Sequence, residues 1–265
     1  MIRDTTVERD AFGIARFMSV HRTGEQRREE GKSLREKIPR ESHAEFEMAS
    51  DRPDPVKVIK KSSEGRLQHL IPIRYGRMSK SAFAFYRGTA SLMAMDLAQT
   101  PTSDIRVQAC GDCHLSNFGL FATPERNLIF DINDFDETLP APFEWDIKRL
   151  AASFYVGALD NRFSDKDCKT ITRASVRAYR EAMAKFSTMK VLDVWYSRYD
   201  IDTLLKTAPD AEAKRNRERI AKEARANVAD YVFPKITNVR YICSCFFSDT
   251  FPVSFCLSIG CSFKK

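Results

Sequence analysis

Glycine is scarce in this sequence. Its ten glycines are scattered from Gly13 to Gly260, and no G-x-G-x-x-G occurs among them. The usual backbone cradle for nucleotide phosphates is therefore missing from these residues. Also missing is any apolar run long enough to span a bilayer; the nearest approach, near the C-terminal end, is broken by Asp249 and Pro252. No membrane partner is expected. A secretory signal is lacking too, because Arg3, Asp4, Glu8, Arg9 and Asp10 stand where it needs an apolar stretch. The expected location is cytoplasmic. Seven cysteines, an odd number in such a compartment, read as thiols and exclude a disulfide framework. A basic stripe is absent as well: the net charge is +7 and the pI about 9.0, but the basic residues are interspersed with acids. No nucleic-acid partner is expected.

What is present suffices for a globular core, with 43% apolar and 11% aromatic residues. Residues 12–47 read as charged helix interrupted by GEQRREEGK and stopped near Pro39, and DRPDPVKV as a turn or linker. LIPIRYGRM at 70–78 reads as extended. From Ser79 one helix is expected, with Phe83, Tyr86, Ala90, Met93, Ala94 and Leu97 on its buried face. The segments IRVQAC, NFGLF and NLIFDINDF read as strands, the last two as a hairpin closed through ATPER. Helices follow from Trp145, at about 170–188 and at about 209–230, the first with a stripe of Ile147, Leu150, Ala151, Phe154 and Ala158. Extended segments followed by helices define an α+β class.

Between the first two strands lies CGDCHLSN, which spells two chemistries. Cys110, Cys113 and His114 form C-x-x-C-H, the haem-attachment spelling. Without an export signal, and between strands, that motif is disfavoured. A zinc reading lacks a second pair of ligands. The alternative is the Asp112/Asn117 spacing of a kinase catalytic loop, in which the Asp orients or deprotonates a hydroxyl and the Asn holds magnesium. Such a site needs a further acid after the next strand, and LIFDINDFDE supplies Asp131, Asp134 and Asp136. DFD then replaces D-F-G, with Asp134 as its first acid. Against this stands a plainer reading, in which these carboxylates cap turns and Asn117 satisfies backbone groups. Three acids close together beside a strand of Leu, Ile and Phe are costly to hold without cations, which favours the metal. Arg74, Arg77 and Arg87 are candidates for a cationic wall that binds phosphate, or equally for ion pairs with the acids at 131–137.

The runs RYGRMSKSAFAFYRGTASLMAMDLA, CGDCHLSNFG and FDINDFDETLPAPFEWDIKRLAAS, in that order, closely resemble the bacterial family labelled domain of unknown function 2252. That family is itself distantly similar to the protein-kinase-like superfamily, especially aminoglycoside phosphotransferases, whose loop reads H-G-D-x-H-x-x-N. CGDCHLSN matches that loop except that Cys110 replaces the first His. The resemblance implies a kinase-like core with ATP and magnesium as cofactors and a small-molecule acceptor. It further implies Asp112 and His114 as catalytic residues, His114 also ordering the loop, and Asp146 as the helix-start acid bracing the loop. A non-catalytic binding module on the same scaffold is the second expectation, motivated by the missing first His and the altered DFD.

Three regions are expected: a charged arm at 1–55, a kinase-like region at 56–235 and a Cys- and Phe-rich stretch at 236–265 outside the resemblance. Members of the family carry a glycine-rich segment and a lysine further downstream. The expectation is therefore a core that is incomplete and catalytically silent by itself, with an ending that is mobile or prone to aggregation.

Overall fold

The computed structural model describes residues 23–125 and 127–226. The stretch 236–265, and with it the expectation about its character, lies outside the described residues. In chain order the helices α1 (Gly24–Lys37), α2 (Pro55–Lys61), α3 (Ile71–Met78), α4 (Ala82–Arg87) and α5 (Ala90–Leu97) come first. Then follow β1 (Arg106–Ala109), β2 (Phe118–Ala122), β3 (Leu128–Ile132), β4 (Leu139–Pro142) and the long helices α6 (Phe143–Asp160) and α7 (Asp165–Phe186). The described part closes with α8 (Val191–Trp195), β5 (Tyr199–Asp200), α9 (Ile201–Lys206) and α10 (Ala211–Ala226). Helices dominate and the sheets are small and antiparallel, an α+β architecture. None of the described helices is long and apolar enough to cross a membrane.

The chain folds as two compact units. One takes the described residues up to Leu115 together with Phe135–Lys190; the other takes Ser116–Asp134 and the described residues from Val191 on.

In the first unit, GEQRREEGK is the front of α1 and not an interruption. Thr23 and Gln26 form a reciprocal capping box there, each side chain satisfying the other's backbone N–H. The segment expected to be extended, LIPIRYGRM, is helical instead. Pro72 sits in the first turn of α3, where its missing N–H costs nothing. The single helix expected from Ser79 is two. Ser81 caps α4 through the Ala84 N–H, and the chain breaks at Gly88, where a side chain would collide with Met78. Strand β1 pairs with β4 from Arg106 opposite Pro142 to Ala109 opposite Leu139, and β4 runs directly into α6. Helix α6 packs on α7 and α4. Met78, Leu92, Leu97, Ala109, Ala141, Ala158 and Cys168 are buried among these elements.

In the second unit the expected hairpin is present. Phe118 pairs with Ile132 and Ala122 with Leu128, and the Thr123 N–H donates to the Asn127 carbonyl at 2.9 Å to close the turn. The rings of Phe118 and Phe130 stack with centroids 6.4 Å apart. The short β5 extends the sheet along β3, and α9 and α10 supply Ile201 and Ala221 as its buried residues.

Candidate functional site

The loop after β1 is held by one face of α6. Asp146 lies in the first turn of that helix, and its carboxylate accepts the N–H groups of Cys110 at 2.7 Å and Gly111 at 3.1 Å. One turn on, Arg149 donates from Nε to Asp112 Oδ1 at 2.7 Å, with Nη2 pairing to the same oxygen. A further turn on, Ser153 Oγ accepts the Leu115 N–H at 2.9 Å, and Gly157 faces Leu115 and Phe83. Positions 146, 149, 153 and 157 share a helix face by their three- and four-residue spacing. The helix thus meets the loop residue by residue.

Gly111 makes this possible. Its φ is +81°, and a Cβ there would lie 2.0 Å from the Glu137 carbonyl oxygen. Only glycine fits both the left-handed backbone and the close approach. Thr138 Oγ1 donates to the Ala109 carbonyl at 2.7 Å and ties the loop's entry to the start of β4.

Arg149 is 2% exposed and is the residue the sequence reading passed over. A charge beside an apolar stripe reads as solvated, yet this guanidinium is inside. Its Nη2 also donates to the Tyr86 carbonyl at 3.1 Å, and it lies 4.6 Å from the Tyr86 ring centroid. Tyr86 returns a bond from its hydroxyl to the Arg149 carbonyl at 2.7 Å. Burial, partly offset by Arg149, pushes the Tyr86 hydroxyl up to about 12. The readable signal was the polar series Asp146, Arg149, Ser153 at helical spacing.

His114 is buried beside Asp112, with Nε2 3.6 Å from Asp112 Oδ2 and its own N–H bonded to the Asp112 carbonyl at 2.8 Å. Phe83 meets its ring edge-on at 6.5 Å. Burial lowers the imidazole below its ordinary value, against the pull of Asp112 and with help from Arg149 and Arg87. The buried Nδ1 has no hydrogen-bond partner.

Cys110 and Cys113 are buried thiols at the base of the loop. Burial first, then Asp146 and Cys110, push the Cys113 thiol up. That is the wrong direction for a metal-binding or haem-linking sulfur, which reacts as thiolate.

In the second unit, Asn117 is buried at 5% exposure and its amide clasps the main chain of Asp134 in both directions. Nδ2 donates to the Asp134 carbonyl and Oδ1 accepts the Asp134 N–H, both at 2.9 Å, while the Asn117 carbonyl accepts from Asn133. Asp131 and Asp134 are exposed, as is Asp136 in the first unit. Exposed as they are, these acids carry no burial cost that cations must offset. Among the described residues no three His, Cys, Asp or Glu side chains gather as a ready metal site.

The three arginines differ. Arg74 donates to Ser63 Oγ at 2.8 Å and, at 3.4 Å, to Ser62 Oγ and the Gly88 carbonyl, so it ties α2 to the α4–α5 break. Arg77 and Arg87 are exposed, and Arg87 is near enough to act on His114.

The chain matches, over residues 66–253, a family described as uncharacterized proteins conserved in bacteria (DUF2252), and it belongs to that family. The match takes in part of the Cys- and Phe-rich stretch. No curated protein and no solved structure matches it.

Proposed function

We propose that this chain carries a phosphotransferase-like site for a magnesium–nucleotide complex and a small hydroxyl- or amine-bearing acceptor. The observation that carries the reading is the clasp of Asn117 on Asp134, which is also the backbone role that the plainer reading gives Asn117. It fixes side by side two residues of the types and spacing that a kinase-like site places on its metal. Their donors are hard oxygens, as are those of exposed Asp131 in the same unit, which suits magnesium. An amide oxygen has two lone pairs, and one of those on Asn117 goes to the Asp134 N–H. When bound, magnesium would be held by Asn117 and Asp134 and would neutralise phosphate charge.

The chain's own residues do the rest. Asp112 orients the acceptor hydroxyl from a loop whose shape α6 holds, and phosphoryl transfer asks more for such positioning than for a strong base. Asp146 fixes the peptide groups before it, and Arg87 offers a forked cation near the loop. Thermal stabilisation tests the reading: ATP with magnesium at 100 times its dissociation constant should add about 2.7 kcal/mol of stability. ATP alone should add much less, and Asp134→Asn should remove the magnesium-dependent part. No shift in the wild type would end the proposal.

A second reading, a binding module without turnover, is favoured by the engagement of Asp112 with Arg149. Product formed by the wild type and lost in Asp112→Ala would eliminate it.

A further inference from the structure

The geometry points to Arg149 as a positioning residue that sets the orientation of Asp112; the inference rests on the phosphotransferase-like reading for its catalytic consequence. Five contacts lock the guanidinium. Two nitrogens, Nε and Nη2, face Asp112 Oδ1. Nη2 also reaches the Tyr86 carbonyl, Nη1 lies 3.5 Å from Met93 Sδ, and the Tyr86 ring covers the group's face. Tyr86 is held in turn by its own hydroxyl bond to the Arg149 carbonyl. At 2% exposure the guanidinium has nowhere else to go.

The consequence falls on one side chain. With Oδ1 gripped by a fixed fork, the Asp112 carboxylate cannot turn about χ1, and Oδ2 is directed toward His114 at 3.6 Å. The grip comes from the helix that also bonds the peptide N–H groups of Cys110 and Gly111 through Asp146, so backbone and side chain of the loop share one reference frame. A planar fork supplies such orientation where a lysine ammonium would supply only charge. An ion pair kept merely for stability would need no particular acid as partner. Here the partner is the acid of the G-D-x-H-x-x-N loop.

The test uses the full chain and MgATP, with water as acceptor, in Asp112→Asn, Arg149→Met, Arg149→Lys and the Asp112→Asn/Arg149→Met double variant. Any phosphate release the chain shows should fall roughly tenfold or more in Arg149→Met, with MgATP affinity unchanged. The same substitution made in Asp112→Asn should cost almost nothing further. Equal losses in both backgrounds, or no loss in the first, would overturn the inference.

Three-bond couplings across the Asp112 χ1 angle, read by NMR, decide the matter independently of turnover. They should report a single rotamer in the wild type and averaging in Arg149→Met. Arg149→Lys, which keeps the charge, should average too and serves if the Met variant does not fold. Single-rotamer couplings in the variants would overturn the inference even where phosphate is released. A wild type that neither binds nor hydrolyses MgATP would instead end the phosphotransferase reading, and the couplings would still decide whether Arg149 orients Asp112.

Discussion

The loop Cys110–Leu115 and the acidic run Asp131–Asp136 carry similar polar residues and are held in opposite ways. In the loop, the N–H groups of Cys110, Gly111 and Leu115 go to side chains of α6, and the acid is gripped by a buried arginine. In the acidic run, the carboxylates face solvent, and the anchoring is done by Asn117 on the main chain of Asp134. The first arrangement fixes a side chain before any ligand arrives. The second fixes a backbone and leaves the acids exposed, Asp131 accepting the Ile132 N–H at 2.8 Å. A carboxylate that must point one way is built by the first method.

The comparison breaks most easily at Gly111. Gly111→Ala combines a left-handed backbone with a collision at the Glu137 carbonyl, and should cost about 4 kcal/mol, read from the shift of a urea unfolding curve. A cost under about 1 kcal/mol would show that the loop is not held as described.

Arg149→Met should come next, at about 3 kcal/mol, because it strands a largely buried carboxylate on Asp112. Adding Asp112→Asn should recover much of that loss in the same urea measurement. No recovery would mean that Arg149 stabilises through Tyr86 and not through the acid.

A smaller effect depends on pH. Burial keeps the folded His114 below its ordinary 6.5, so as the pH falls the unfolded chain takes up this proton first. The contribution is complete above about pH 6.5 and drains away as the pH falls toward the folded value. The melting temperature of His114→Gln should therefore decline less than that of the wild type between neutral and mildly acidic pH. Parallel declines would place His114 in contact with water.

The exposed acids should show the least. Asp131→Asn and Asp136→Asn should each change stability by no more than about 0.5 kcal/mol in the absence of metal. A larger loss would show that these carboxylates are structural and would erase the contrast between the two regions.

The sequence displayed the hairpin and the loop because their patterns are local. NFGLF and NLIFDINDF flank a Pro-containing turn, and pairing within a short segment leaves its period in the letters. It misled at LIPIRYGRM, where Ile71, Ile73 and Tyr75 alternate like a strand while Pro72 opens a helical first turn. It hid Arg149 for a different reason. The polar series at 146, 149 and 153 marks a helix face but not its burial; that is caused by a tyrosine more than sixty positions earlier and a loop more than thirty positions earlier. The exposure of Asp131, Asp134 and Asp136 is hidden in the same way, since it depends on what the rest of the chain leaves uncovered.

The side-chain partners of Cys110, Gly111 and Leu115 have one more consequence. Peptide hydrogens in a helix or sheet are shielded by other peptide groups and exchange with solvent deuterium when that element opens. These three are shielded by Asp146 and Ser153 instead. Their exchange is therefore tied to two side chains, so a change confined to Asp146 can unshield Cys110 and Gly111 while the amides of β1 and α6 keep their protection. Deuterium uptake at these positions would read the state of the loop in the unmodified protein, with no ligand added and no reaction to follow.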